Sequence, residues 1–229
     1  MVLTVIGSSS AGNGYIIQND REALVLEAGK PFREVKKYIG YDIRKIKGVC
    51  VSHIHGEHAK YLKEYQRLYP IYAPALGYGS CSKAEQYGDF KVKAFDVDHD
   101  DTPCCGFYVT HPDMGNLVFL TDAGYCRYSF RKLDVQHLMV ECNYQDSKFE
   151  VKTAKADHVL RGHMSEKTMH EFIRSNSSEY LSDVVILHLS EDNAEYGEVL
   201  ANIRKVVKKG TGAFVAYPGL NITLRRHVE

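Results

Sequence analysis

The sequence predicts an α/β (α+β) fold in which two β-sheets face each other and helices lie outside. Short apolar runs with strand patterning outnumber helical segments throughout the chain. Many of these runs come before the interspersed helices, which fits a two-sheet core better than a doubly wound parallel sheet. At 229 residues, 44% hydrophobic and 25% charged, the chain can bury a sizeable core. No linker, repeat or low-complexity segment divides it, so one domain over 1–229 is expected.

Residues 2–6 read as a first strand, followed by the turn-rich loop Gly7-Ser8-Ser9-Ser10-Ala11-Gly12-Asn13. Strands at 14–18 and 23–27 flank a turn at Asn19-Asp20, and a helix covers 32–39 up to Gly40. A buried-type strand at 48–52 leads into a helix over 58–68, whose Tyr61, Leu62, Tyr65 and Leu68 share one face. Strands follow at 70–73, 91–97, 106–111, 116–121 and 136–142. Ser165 caps a helix to about Arg174, and a strand covers 184–188. Asp192 starts a helix to about Val207, and 213–216 is a last strand.

Eleven histidines are unusual, and three of them fall within six residues, His53-Ile54-His55-Gly56-Glu57-His58, where the 48–52 strand ends. Loops at strand ends commonly present functional side chains. His53 and His55 are two apart and point to one side of an extended backbone. Gly56 is expected to allow a tight turn, so that Glu57 and His58 face back from the helix start. Three imidazoles and a carboxylate suffice to bind Zn²⁺, or to begin a site for two neighbouring ions completed by later residues. Incidental histidines at a polar helix start are the plain alternative.

The segment resembles the H-x-H-x-D-H signature of the metallo-β-lactamase superfamily. Other pieces occur in the order of that family. Asp98-His99-Asp100, with Gly106-Phe107 after it, resembles the segment giving the third histidine; Thr121-Asp122-Ala123-Gly124 resembles T-D-x-G; Ile186-Leu187-His188 resembles the last histidine motif. The opening loop with Val25-Leu26-Glu27-Ala28-Gly29, Glu141-Cys142-Asn143-Tyr144, and Gly162-His163-Met164-Ser165 resemble the YycJ/WalJ-like branch, a relative of tRNase Z. The resemblance spans about residues 1–195 and implies a four-layer αββα sandwich.

It also implies two divalent metal ions, Zn²⁺ first, with Mn²⁺ or Fe as alternatives. By position, His53, His55 and His99 hold one ion; Glu57, His58 and His188 hold the other; Asp122 bridges. His163 becomes a phosphate contact or proton donor, with Glu141 orienting it. Glu57 and Glu27 stand where the family has aspartate, with one methylene more, roughly 1.5 Å of extra reach. Glu57 therefore binds metal in altered geometry, orients a water, or leaves the second site weak.

Read singly, Asp122 is a turn residue, His99 part of a solvated acidic loop, and His188 a buried strand histidine; only their order makes them ligands. His111, His137, His158 and His170 match no motif and read as structural or surface residues. Lys152, Lys155 and Arg161 read as a solvated face, with phosphate contact the alternative.

The expected function is a metal-dependent phosphodiesterase or nuclease, with a phosphodiester or nucleic acid as substrate. One alternative is a lactonase, thioesterase or β-lactamase-type hydrolase. Another is a metal-binding module impaired by Glu57 and Glu27. Zero net charge argues against holding nucleic acid mainly by phosphate neutralisation. No apolar run reaches membrane-span length, and the N-terminus lacks a basic region before its apolar stretch, so the cytoplasm is expected. The six cysteines form no C-x-x-C pair and read as buried thiols.

Overall fold

Five strands and three short helices make up the first part of the chain. They are β1 (Val2–Gly7), β2 (Gly14–Gln18), β3 (Ala23–Leu26), α1 (Phe32–Tyr38), β4 (Ile46–Cys50), α2 (Gly56–Ala59), α3 (Leu62–Gln66) and β5 (Ile71–Tyr72). The rest comprises β6 (Ala84–Tyr87), β7 (Phe90–Val97), β8 (Cys104–His111), β9 (Gly115–Leu120), β10 (His137–Glu141), α4 (Ala156–Gly162), α5 (Glu166–Asn176), β11 (Asp183–Leu187), α6 (Tyr196–Val206), β12 (Gly212–Val215) and β13 (Asn221–Thr223). This computed structural model describes residues 1–149 and 156–227; Lys152 and Lys155 lie outside the described residues.

Two mixed sheets result. One has the order β13-β1-β2-β3-β4-β5, the other β12-β11-β10-β9-β8-β7-β6. In the first, β3, β4 and β5 run parallel; in the second, β9 to β12 run parallel beside an antiparallel meander of β6 to β9. The period-2 alternation of strands sorts the apolar residues into three layers. Leu24, Leu26 and Cys50 pack between the sheets against Phe107, Leu117, Phe119 and Met139. Val25, Val49 and Val51 pack outward with Phe32, Val35, Leu62 and Tyr65 of α1 and α3. Val118, Leu120, Leu138 and Val140 pack outward with Met169, Phe172, Ile173, Val199 and Ile203 of α5 and α6. Helix, sheet, sheet, helix is the four-layer order that the resemblance implies.

The differences have physical causes. The expected 58–68 helix is two short helices. Its His58 carbonyl accepts from Ala28 N–H (2.7 Å), and Tyr61 N–H donates to the Ala28 carbonyl (2.9 Å), so the loop after β3 takes both groups from the helical ladder. The last helix starts at Tyr196 and not Asp192, because the Glu195 side chain caps it by accepting from Gly197 and Glu198 N–H. Ser165 caps α5 through Thr168 N–H as expected. β6 and β13 were not foreseen: one is a polar edge strand, the other only three residues long. Gly56 needs no glycine-only backbone; it is the first residue of α2, and nothing lies within 4 Å of an added Cβ.

Gly29 does need to be glycine. A Cβ there would lie 1.8 Å from the Glu57 carbonyl oxygen and 2.7 Å from Asn13 N, where three loops cross. Asn13 N–H donates to that Glu57 carbonyl (2.7 Å), and Gly29 N–H donates to the Asn13 carbonyl (3.0 Å). Gly29→Ala is expected to lower the unfolding free energy by about 2 kcal/mol or more. Gly56→Ala is expected to stay within about 1 kcal/mol of the unaltered chain. Urea denaturation followed by circular dichroism separates the two variants.

Candidate metal centre

The C-terminal ends of the parallel strands bring the candidate residues to one rim. Glu27 follows β3, the His53–His58 segment follows β4, Asp122 follows β9, Glu141 ends β10 and His188 follows β11. Glu27, Asp122 and His188 adopt left-handed φ values of 68°, 46° and 51°. Such backbone costs on the order of 1 kcal/mol per residue or more and persists where surrounding contacts impose it.

His53, His55 and His99 converge, with ligand-type atoms within 4.8 Å of one another. Each buried ring is oriented through its other nitrogen. His53 Nδ1 lies 2.9 Å from Ser52 Oγ, leaving Nε2 without a partner. His99 Nδ1 donates to the Gly162 carbonyl (2.7 Å), leaving Nε2 3.1 Å from His55 Nδ1. Fixing one imidazole nitrogen so that the other offers its lone pair is how proteins prepare a ligand. Burial, with help from the nearby His58, pushes His53 down to about 2, and burial also lowers His99. Both rings are therefore neutral at pH 7, as ligation requires.

Glu57, His58, Asp122 and His188 form the second convergence, also within 4.8 Å. His58 Nε2 lies 3.2 Å from Asp122 Oδ2, and its Nδ1 lies 3.5 Å from Glu27 Oε2. Asp122 Oδ1 accepts from Thr121 Oγ1 (2.7 Å), while Oδ2 has no hydrogen-bond partner and sits 3.8 Å from His53 Nε2. Burial alone would raise the Asp122 carboxyl; His188 and His58 instead hold it well below the usual range. Burial opposes protonation of His58, yet the Asp122 and Glu27 carboxylates lift it well above the usual histidine range. Without a cation, His58 carries the proton that balances these acids, and a bound dication can replace that proton.

Unpartnered buried polar atoms are rare in proteins. Here His53 Nε2, Asp122 Oδ2 and His188 Nε2 are three of them, facing one centre. Imidazole and carboxylate donors fit a divalent cation. The residues present therefore suit divalent-metal binding.

Asp122, Glu141, His163 and His188 also cluster within 4.8 Å, but as an ion pair rather than a donor set. Glu141 Oε1 lies 2.6 Å from His163 Nδ1, and Oε2 accepts Ala123 N–H (3.0 Å) and Met164 N–H (3.3 Å). Burial works against both charges. Glu141 nevertheless raises His163 to about 9, and His163 lowers Glu141. The His163 ring stacks on His188 at 5.4 Å.

Glu27 belongs to neither donor set. It is buried, accepts Ser52 N–H at 3.2 and 3.3 Å, and faces His58 Nδ1, so it holds a ring in place. The sequence reading missed Asn13, whose Nδ2 lies 3.0 Å from His58 Nε2, and Asn143, 3.1 Å from His188 Nδ1. Both stood in quoted motifs, yet a lone asparagine carries no signal of which ring it will meet. The adjacent Cys104 and Cys105 at the start of β8 face opposite ways. Alternation turns Cys104 toward His53 Nδ1 (3.7 Å) and Cys105 toward Cys81 (3.7 Å), and all six cysteines are free. His111 and His137 pair with Glu22 and Asp183 away from the rim, and His170 faces Glu166 along α5. His158 does not: its ring lies 6.2 Å from those of His55 and His99.

Residues 9–77 match the family described as the Metallo-beta-lactamase superfamily. Over 144 residues the chain is 28% identical to exodeoxyribonuclease YycJ of Bacillus anthracis. That match covers 53% of this chain and 54% of YycJ, so the chain spans about half the length of the curated relative it matches. YhfI of Bacillus subtilis, a metallo-beta-lactamase fold protein, superposes with a TM-score of 0.74 at 17% identity, covering 96% of this chain and 98% of YhfI. Human tRNase Z, short form, superposes at 0.65 and 16% identity, covering 98% and 99%. The fold is the metallo-β-lactamase sandwich that the motifs imply.

Metal binding has a direct readout. Zn²⁺ or Mn²⁺ is expected to raise the melting midpoint of protein stripped with chelator, since a ligand of the folded state alone stabilises it. Asp122→Asn keeps a residue type that tolerates the left-handed backbone but removes the charge. This variant is expected to lose most of that rise in differential scanning fluorimetry.

Proposed function

We propose that this chain, built on the metallo-β-lactamase fold, is a metal-dependent phosphodiesterase acting on nucleic-acid or similar phosphodiester bonds. The observation that carries the reading is the buried Glu141–His163 pair, which sets a proton donor beside two adjoining donor sets. The likeness to an exodeoxyribonuclease and to tRNase Z supports the same bond class. Six free cysteines suit a reducing compartment, the cytoplasm. Among the described residues no helix is long and apolar enough to cross a membrane.

In this reading His53, His55 and His99 would hold one ion, Glu57, His58 and His188 would hold a second, and Asp122 would serve both. Zn²⁺ is the first choice, with Mn²⁺ or Fe next. Bound divalent ions lower the pKa of water and offset charge on the attacking and leaving oxygens. The chain's own residues do the rest. Ser52, Glu27, Gly162 and Asn143 hold the rings. Glu141 keeps His163 protonated at neutral pH through Nδ1, so Nε2 has a proton to deliver to the leaving oxygen.

The test is turnover of bis-p-nitrophenyl phosphate against nitrocefin and a lactone panel with metal-loaded protein. Hydrolysis of the diester is expected; hydrolysis of nitrocefin or a lactone alone would move the assignment to another bond.

His163 has a sharper signature. A p-nitrophenolate leaving group needs no proton, whereas a nucleoside hydroxyl does. His163→Ala is expected to lower kcat on a dinucleotide by about 10²-fold and on bis-p-nitrophenyl phosphate far less. The acid form is lost as pH rises through its pKa, so dinucleotide turnover should fall above about pH 9. His163→Ala should lose that limb.

A second reading rests on Glu57, the longer carboxylate where the family pattern has aspartate. If the extra methylene has impaired the second site, the chain is a metal-binding module, and Glu57→Asp will raise turnover. A fall in turnover with Glu57→Asp would instead support glutamate as a working ligand.

A further inference from the structure

One imidazole over the centre has no role in the chemistry above. The His158 ring, from α4, lies 6.2 Å from those of His55 and His99 and 5.9 Å from that of His163. Its side chain is 51% exposed, so it stands between the buried centre and solvent. It joins neither donor set.

The ring is also held. His158 Nδ1 lies 3.2 Å from Asp100 Oδ2. Asp100 has a left-handed φ of 47° and directly follows His99. Asp100 N–H donates to the Arg161 carbonyl (3.4 Å), and Arg161 Nε lies 3.4 Å from Asp100 Oδ1. Arg161 Nη2 also reaches toward Asp157 (3.9 Å). One residue on, the Gly162 carbonyl accepts from His99 Nδ1. The loop carrying His99 and the helix carrying His158 are thus fastened together on both sides of the imidazole. A carboxylate on Nδ1 fixes the ring and leaves Nε2 as its free edge. A histidine placed only for a surface ion pair would have no reason to face three rings of the centre.

We propose that His158 is a substrate-binding residue of the phosphodiesterase, with Asp100 as its positioning residue. Its Nε2–H donates to an oxygen of the phosphate flanking the scissile one, at the mouth of the His55–His99 side, so that both ring nitrogens are donors, one to Asp100 and one to the phosphate. The ring is too far out to share the position of the ligands, yet near enough to touch the next unit of a chain entering there. Arg161 supplies the adjacent positive group. The inference rests on the phosphodiesterase reading for its substrate class.

The test compares a substrate with one phosphate against one with several, using metal-loaded protein. His158→Ala is expected to raise KM for a short single-stranded oligodeoxynucleotide about tenfold, with kcat, metal content and turnover of bis-p-nitrophenyl phosphate unchanged. His158→Asn, which keeps a side-chain hydrogen-bond donor, is expected to recover part of the loss. Equal loss on both substrates, or loss of bound metal, would show a structural role through Asp100 and overturn the proposal, as would no change on either. Fluorescence anisotropy of a labelled oligodeoxynucleotide separates this outcome from failure of the parent reading. If the unaltered chain turns over no diester but binds the oligonucleotide, weaker binding by His158→Ala sustains the contact. Equal binding, or none by either protein, rejects it.

Discussion

The Asp122 carboxylate is the constraint around which the rim is arranged. It is fully buried, sits on left-handed backbone, and keeps one oxygen without a hydrogen bond while His53, His58 and His163 stand within 4.0 Å of it. A charge in that position is costly unless cations or donors surround it. The surrounding imidazoles come from two separate segments, one after β4 and one after α4, so the same electrostatic demand that burdens the fold also assembles the site.

The scaffold withstands that demand because three loops are fastened by backbone hydrogen bonds in addition to side chains. Asn13 N–H meets the Glu57 carbonyl, Ala28 N–H meets the His58 carbonyl, and Tyr61 N–H meets the Ala28 carbonyl. These bonds interrupt a helix whose side-chain spacing favoured continuity. The interruption stops the chain just after His58, with Glu57 and His58 turned back toward Asp122. Local helical preference is worth a few tenths of a kcal/mol per residue, less than two buried hydrogen bonds left unmade.

Charge is divided unevenly across the rim. Burial keeps His53 and His99 neutral, as ligands must be, whereas Glu141 keeps His163 charged, as a proton donor must be. The same residue type takes opposite protonation states a few ångströms apart because one ring faces mainly other imidazoles and the other faces a carboxylate held by two amides.

The two-sheet core with outer helices was legible in strand patterning, whereas the four-layer order and the candidate ligand set came from the resemblance of the motifs to the metallo-β-lactamase superfamily. Strand alternation sorts residues such as Leu117 and Val118 to opposite faces by local geometry, and the spacing of His53, His55, Glu57 and His58 survives in one dimension. What tertiary structure alone decided is which atoms meet. The break after His58, the duty of Glu27 as a ring holder, the turn of Cys104 toward His53 and the position of His158 over the centre all depend on contacts between residues 30 to 58 positions apart. Periodicity reports the face a residue occupies, because that follows from its own backbone. It cannot report the partner waiting there, because that partner arrives from a different strand end.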